Sequence, residues 1–216
     1  MKQYYLLSVA GSGGMFVSSL MLHYMGCPTN PNPTVSVTGD CHDLGNGIWK
    51  PADNVFLIGD RWEHRIYHKP LLYSHYTNLT DVKNYMPNLN VVLVGYSEED
   101  VELISRLRTV KAHALQWNQE QYNLLAGPDW PVYSNNNITE SKMIQDELTQ
   151  MRMPVTREWL TEVDQTQVNY TIPFRMVIGL DSGLNQTVAD IFGKLPSPKF
   201  NDFIQQYQSI NQKLYL

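Results

Sequence analysis

The fold is decided by Tyr4–Ala10 (YYLLSVA), which runs directly into Gly11–Gly14 (GSGG). The first stretch is a short apolar run with aromatic and β-branched members, a composition typical of a strand buried on both faces of a sheet. From Met15 onward, apolar residues recur at helical spacing until Gly26 and Pro28 end the helix. The sequence therefore predicts a strand, a glycine turn and a helix, which form the first half of a βαβ unit.

A second buried strand is predicted at Val91–Gly95 (VVLVG), which begins with four apolar residues, three of them β-branched. Ser97 then stands as an N-cap, and Glu98–Asp100 places acidic side chains in a first helical turn, where the helix dipole favours them. We expect Tyr4–Ala10 and Val91–Val94 to be neighbouring parallel strands, because both are unbroken apolar runs that lead into helices.

The remaining segments complete an alternation of strands and helices. Leu71–His75 is a short apolar segment, and the proline in Ile172–Ile178 places that extended segment at a sheet edge or a strand start. Helices are predicted at Asp60–Tyr67, Leu184–Phe192 and Phe200–Tyr215. This alternation indicates a single α/β domain over residues 1–216, with a mainly parallel central sheet flanked by helices.

Composition excludes several classes of partner. The 216 residues include 16 Lys plus Arg against 21 Asp plus Glu, a net charge of −5, so the chain carries no basic footprint for nucleic acid or an anionic membrane. Its apolar stretches are too short to span a bilayer. A chain of this size needs no disulfide, so we expect Cys27 and Cys41 to be reduced thiols in a cytoplasmic protein.

The glycine turn predicts an anion site. Backbone N–H groups at a helix N-terminus point toward a ligand, and glycines let a phosphate or sulfate approach closely. The Walker pattern is not met, because no Lys-Ser or Lys-Thr pair follows. The Rossmann pattern also fails, because Phe16 occupies the place of its third glycine. The alternative is a strand-to-helix corner that binds no ligand.

The order of three segments resembles the sulfotransferase branch of the P-loop fold: Leu7–Leu22, Leu72–Ser105 and Ile172–Lys213. Short sulfotransferase-like proteins of marine bacteria and their phages are the most similar in size. The resemblance implies a three-layer P-loop-like domain over residues 1–216. It also implies 3′-phosphoadenosine-5′-phosphosulfate as sulfuryl donor, a hydroxyl or amine of a small molecule or glycan as acceptor, and no metal.

The family's loop has Lys or Arg, then Ser-Gly, then two hydroxyl residues. Ser12 and Gly13 match its Ser-Gly, Gly11 stands in the place of the cation, and Gly14 and Met15 stand in the places of the hydroxyl pair. By the resemblance these five residues bind the donor. The loop keeps its backbone donors and lacks the positive charge.

Two further family motifs find counterparts. His75 falls where the family has the histidine of its T-H-x-P segment, which implies a general base that deprotonates the acceptor. After the second strand, Tyr96 replaces an arginine that grips the 3′-phosphate of the donor. The serine of the same motif is replaced by Ile104, and Ser105 stands one place later. The resemblance therefore adds His75, Tyr96 and Ser105 to the candidate site.

Two hypotheses remain open. The chain is either a sulfotransferase-like enzyme or a catalytically inactive P-loop-fold binding or assembly subunit, for example a neck or tail protein of a phage virion. In the second case its partners are protein subunits and its location is the virion. His64 and His68 share a spacing that would place both on one helix face as a metal pair, but solvated histidines are the simpler interpretation, and we expect no metal.

Overall fold

The computed structural model describes residues 2–9, 12–26, 65–68, 71–74, 77–104 and 161–215. Short 3₁₀ turns lie at Glu98–Asp100, Gln165–Gln167 and Pro198–Phe200. The strands are β1 (Gln3–Leu7), β2 (Arg65–His68), β3 (Leu71–Ser74), β4 (Leu89–Gly95) and β5 (Tyr170–Pro173). The helices are α1 (Gly14–Tyr24), α2 (Leu79–Tyr85), α3 (Phe174–Val177), α4 (Leu184–Ile191) and α5 (Asn201–Tyr215).

In the described part of the chain, the strands form one sheet in the order β2-β3-β1-β4-β5. β1 is central and pairs in parallel with β3 on one side and with β4 on the other. Tyr5 is in register with Leu72 and with Val91. The prediction that the first strand and the VVLVG strand are buried parallel neighbours is therefore confirmed, and so is the α/β class with a mainly parallel sheet.

The sheet contains a topological switch point between β1 and β4. The chain leaves the carboxyl end of β1 toward β3 on one side, whereas it leaves β4 toward β5 on the other. In open α/β sheets, ligands bind in the crevice outside the carboxyl ends of strands at such a point. The glycine turn follows β1 and therefore lies at this edge.

Helices pack on both faces of the sheet. Alternate residues of β1 point to opposite sides, so that Tyr4 and Leu6 belong to one buried cluster and Tyr5 and Leu7 to another. The first cluster includes residues of α1, α4 and α5, and the second includes residues of α2. Burial on both faces explains why the sequence of β1 is an unbroken apolar run. Within the described residues, no helix is long and apolar enough to cross a membrane.

Two predicted segments are wrong in part. Arg65–His68 is a strand antiparallel to β3, not helix, because pairing with the nearby β3 satisfies its backbone groups. His68 therefore does not share a helix face with His64, which lies outside the described residues. The segment predicted as extended to Ile178 leaves the sheet at Pro173 and forms α3. Phe174 and Val177, three residues apart, are both fully buried in that helical turn.

The predicted closing helices are confirmed. α4 ends at Ile191, and Gly193 adopts a positive φ of 61° just beyond it. α5 begins one residue after the predicted start, because Pro198–Phe200 forms a 3₁₀ turn before it. Its apolar face, including Phe203 and Tyr207, packs into the cluster that contains α1.

Candidate functional site at the carboxyl edge of the sheet

The candidate site begins with the turn between β1 and α1. The backbone N–H and the hydroxyl of Ser12 both donate to the carbonyl oxygen of Val9, at 3.1 and 2.8 Å. The Ser12 side chain is completely buried. These two bonds close the turn, so both donors of Ser12 are used within the protein.

Gly13 is the N-cap of α1 and adopts a left-handed conformation with φ 81°. Its carbonyl oxygen accepts the first helical hydrogen bond, from the N–H of Val17 at 3.1 Å. A Cβ built on Gly13 would lie 2.6 Å from the hydroxyl oxygen of Tyr207 and 2.7 Å from a methyl carbon of Val177. Both the backbone angle and the close packing therefore require glycine here.

Gly14, the first residue of α1, is enclosed from another direction. A Cβ at this position would meet the Ser8 hydroxyl and would lie 2.7 Å from the Tyr73 hydroxyl oxygen. The Ser8 hydroxyl donates to the Tyr73 hydroxyl at 3.2 Å. With the Tyr207 hydroxyl near Gly13, three hydroxyl groups therefore lie close to the start of α1. Residues 13–15 themselves are Gly, Gly and Met and contribute no hydroxyl.

The turn that follows β4 is held by an acidic side chain. The carboxylate of Asp100 accepts hydrogen bonds from the backbone N–H of Ser97 at 3.0 Å and from its hydroxyl at 2.9 Å. Asp100 is only 3% exposed. The predicted N-cap at Ser97 is therefore confirmed, and Asp100 completes it as a reciprocal capping box.

An arginine that follows β5 reaches this buried carboxylate. Nη1 of Arg175 lies 3.3 Å from Oδ1 of Asp100, and Nε lies 3.6 Å from Oδ2 of Asp181. The side chains of Arg175 and Asp181 are 45% and 47% exposed. The ends of β4 and β5 are thus joined by a partly solvated charge network.

The structure brings some of the predicted site residues together. Ser12, Gly13 and Gly14 form the turn after β1, and Met15 is half-buried against the larger core. Tyr96 follows β4 at the same edge but belongs to that core, where it is 7% exposed. The other three predicted residues are Gly11, His75 and Ser105, and they lie outside the described residues.

Sequence reasoning missed the residues that surround the turn. Tyr207 lies within the helix predicted at Phe200–Tyr215, and nothing in its local sequence indicates a contact with Gly13. Val177 and Arg175 lie on α3, which was predicted as extended chain. Their proximity to the site arises from packing between segments that are far apart in sequence, which a local pattern does not report.

No family model, curated protein or solved structure matches the chain. The chemistry of the site is therefore inferred from the contacts of its own residues. Among the described residues, no group of three or more His, Cys, Asp or Glu side chains could hold a metal ion.

Proposed function

We propose that the chain is a sulfotransferase-like protein that transfers a sulfuryl group from 3′-phosphoadenosine-5′-phosphosulfate to a hydroxyl or amine of a small-molecule or glycan acceptor. The observation that carries the proposal is Gly13, which starts α1 in a left-handed conformation directly after the central strand. Such a turn, at the carboxyl edge and the switch point of an α/β sheet, suits an anionic ligand.

The electrostatics of α1 support an anionic ligand at this end. Its first turn contains no acidic side chain, and its N-cap is Gly13, which has no side chain of its own. The partial positive charge of the helix dipole is therefore not offset by a carboxylate of α1 itself. The hydroxyls of Ser8, Tyr73 and Tyr207 add polar groups around the same residues.

The proposed reaction gives separate roles to the donor, the glycine turn and His75. The donor supplies the activated sulfuryl group, and the backbone of Gly13, Gly14 and Met15 would hold its anionic part. His75 would accept the proton of the acceptor hydroxyl, a task that suits the ordinary pKa range of histidine. The missing charges at Gly11 and Tyr96 must be supplied from elsewhere, because sulfuryl transfer, like phosphoryl transfer, develops negative charge on oxygens.

A non-catalytic binding or assembly subunit, such as a virion neck or tail protein, is the second candidate. The packing of the turn favours it. Both donors of Ser12 are hydrogen-bonded to the carbonyl oxygen of Val9. Tyr207 and Val177 occupy the space that a side chain at position 13 would need. These contacts explain the serine and the glycine of the turn without a ligand.

A transfer assay separates the two candidates. Purified protein is incubated with the sulfate donor and a panel of hydroxyl and amine acceptors, and release of the desulfated nucleotide is measured for wild type and His75→Ala. The enzyme proposal predicts turnover that falls by about 10²–10⁴-fold in His75→Ala while nucleotide affinity is retained. A histidine with only a structural role would instead lower the melting temperature of the variant. Absence of turnover in wild type, with intact oligomerisation and partner binding, supports the assembly subunit.

A further inference from the structure

Among the described residues at the carboxyl edge of the sheet, one is a candidate for the missing positive charge. The described residues that follow the parallel strands β1, β3, β4 and β5 are 8–9, 12–15, 77–80, 96–104 and 174–183. Within these ranges Arg175 is the sole Lys or Arg. Neither the sulfotransferase motifs nor the glycine turn assigns a role to this residue.

We propose that Arg175 is the specificity-determining cation of the site and contacts a phosphate or sulfate group of the ligand in place of the charges missing at Gly11 and Tyr96. This inference rests on the proposed function, because it assigns a residue to the same anionic ligand. Arginine suits the role, since its planar guanidinium matches phosphate and sulfate oxygens with two parallel N–H donors.

The position of Arg175 is set by its contact with Asp100. That contact holds the guanidinium beside the turn after β4, the strand that borders the switch point. The same α3 places Val177 against Gly13. The helix that carries Arg175 therefore touches both turns that flank the switch point, those after β1 and after β4.

The present contacts leave Arg175 able to bind an anion. Nη1 and Nε each make one contact, at 3.3 and 3.6 Å, and among the described residues Nη2 makes no hydrogen bond or ion pair. Neither carboxylate depends on the guanidinium alone. Asp100 accepts two hydrogen bonds from Ser97, and Asp181 is 47% exposed to water. The pair with Asp181 is about half-exposed on both sides and contributes little to stability, so Nε can turn from Asp181 toward a ligand at small cost while Nη1 keeps its contact with Asp100.

The Asp181 carboxylate should also affect anion affinity. Asp181 competes with an anionic ligand for the guanidinium, because its Oδ2 lies 3.6 Å from Nε. Asp181→Asn removes that competitor and reduces the negative charge beside Arg175. Anion affinity should therefore rise in Asp181→Asn and fall in Arg175→Gln.

The test measures binding of two probes, inorganic pyrophosphate and 3′-phosphoadenosine-5′-phosphate, by calorimetric titration. The variants are Arg175→Gln, Arg175→Lys and Asp181→Asn. The control is Lys199→Gln, because Lys199 is an exposed cation beside Phe200, whose ring contacts His23 in the last turn of α1. We expect Arg175→Gln to weaken binding by about 10- to 100-fold. Arg175→Lys should retain part of the affinity, and Asp181→Asn should strengthen binding by about two- to fivefold. Lys199→Gln should bind like wild type.

The outcomes separate this inference from the proposed function. If Arg175→Gln binds both probes as tightly as wild type, the role of Arg175 is overturned while the nucleotide site stands. If pyrophosphate binds in an Arg175-dependent way and the nucleotide does not bind, Arg175 is supported and the sulfotransferase proposal fails. If wild type binds neither probe, both fail.

Discussion

Tyr207 of α5 stacks on Phe16 of α1 with ring centroids 3.8 Å apart and ring planes only 2° apart. The stack fixes the Tyr207 hydroxyl beside Gly13, because Phe16 lies in the first turn of the helix that Gly13 caps. Tyr207 is 2% exposed, so its ring is part of the core while its hydroxyl lies at the candidate site. The last helix of the chain thus helps to shape the turn near its beginning.

Gly13→Ala tests this packing, and Gly183→Ala is its matched control. Both glycines are N-caps with positive φ, 81° and 100°, but Gly183 has no neighbour within 4 Å of a built Cβ. Backbone strain should cost about 1–3 kcal/mol at either position. At Gly13, overpacking against Tyr207 and Val177 should add about 1–3 kcal/mol. Urea denaturation measures both free energies of unfolding.

Removing the Tyr207 hydroxyl checks the source of the added cost. Tyr207→Phe should lessen the penalty of Gly13→Ala in the double variant and leave the penalty of Gly183→Ala unchanged. Equal losses for the two glycine variants would mean that Tyr207 and Val177 yield without cost.

Asp100 should contribute more to stability than its acidic neighbours. It is buried, accepts two hydrogen bonds from Ser97 and pairs with Arg175, whereas Glu99 is exposed. We expect Asp100→Ala to lower the free energy of unfolding by about 1–2 kcal/mol, because it removes the carboxylate that accepts the capping hydrogen bonds of Ser97. Glu99→Gln should change it by less than about 0.5 kcal/mol. Similar values for the two variants would show that the capping box contributes nothing specific.

His23, in the last turn of α1, should make the stability of the protein depend on pH. Burial, followed by the nearby charges of Lys199 and Lys194, lowers the pKa of His23 from 6.5 to about 4. Between these values the unfolded chain binds a proton that the folded protein does not, so stability falls as pH decreases from about 6.5 to about 4. Below that window the contribution is fully lost and the slope ends.

The measurement compares melting temperature against pH for wild type and His23→Gln. Glutamine keeps a polar side chain near Phe200, whose ring centroid lies 3.9 Å from that of the histidine, but it does not titrate. The wild-type curve should fall more steeply than that of the variant between pH 6.5 and 4. Parallel curves would show that His23 has the same pKa in the folded and unfolded chains.

The sequence predicts the central strands because their signal is local. β1 and β4 are buried on both faces, so an unbroken apolar run identifies them. The short elements lack such a signal. β2 has only four residues and is fixed by pairing with β3, and α3 is a single turn that forms where Pro173 leaves the sheet. Tertiary contacts, rather than local preference, decide such segments.

Only part of the candidate site could be predicted from the sequence. The turn at Ser12–Gly14 could be predicted, because glycines between a strand and a helix have a local meaning. The contacts of Tyr207, Val177 and Arg175 could not, since they depend on how α3 and α5 pack at the carboxyl edge. Tyr96 was predicted by resemblance as a donor contact, and the structure shows its side chain in the larger core.

The most direct test of the anion site is the stability of wild-type protein with and without 3′-phosphoadenosine-5′-phosphate. Binding at 100 times the dissociation constant should raise the free energy of unfolding by about 2.7 kcal/mol, with adenosine, which lacks both phosphates, as the control. We expect this gain with the bisphosphate and none with adenosine. An unchanged free energy of unfolding at saturating bisphosphate would contradict a nucleotide-type anion site at the carboxyl edge of the sheet.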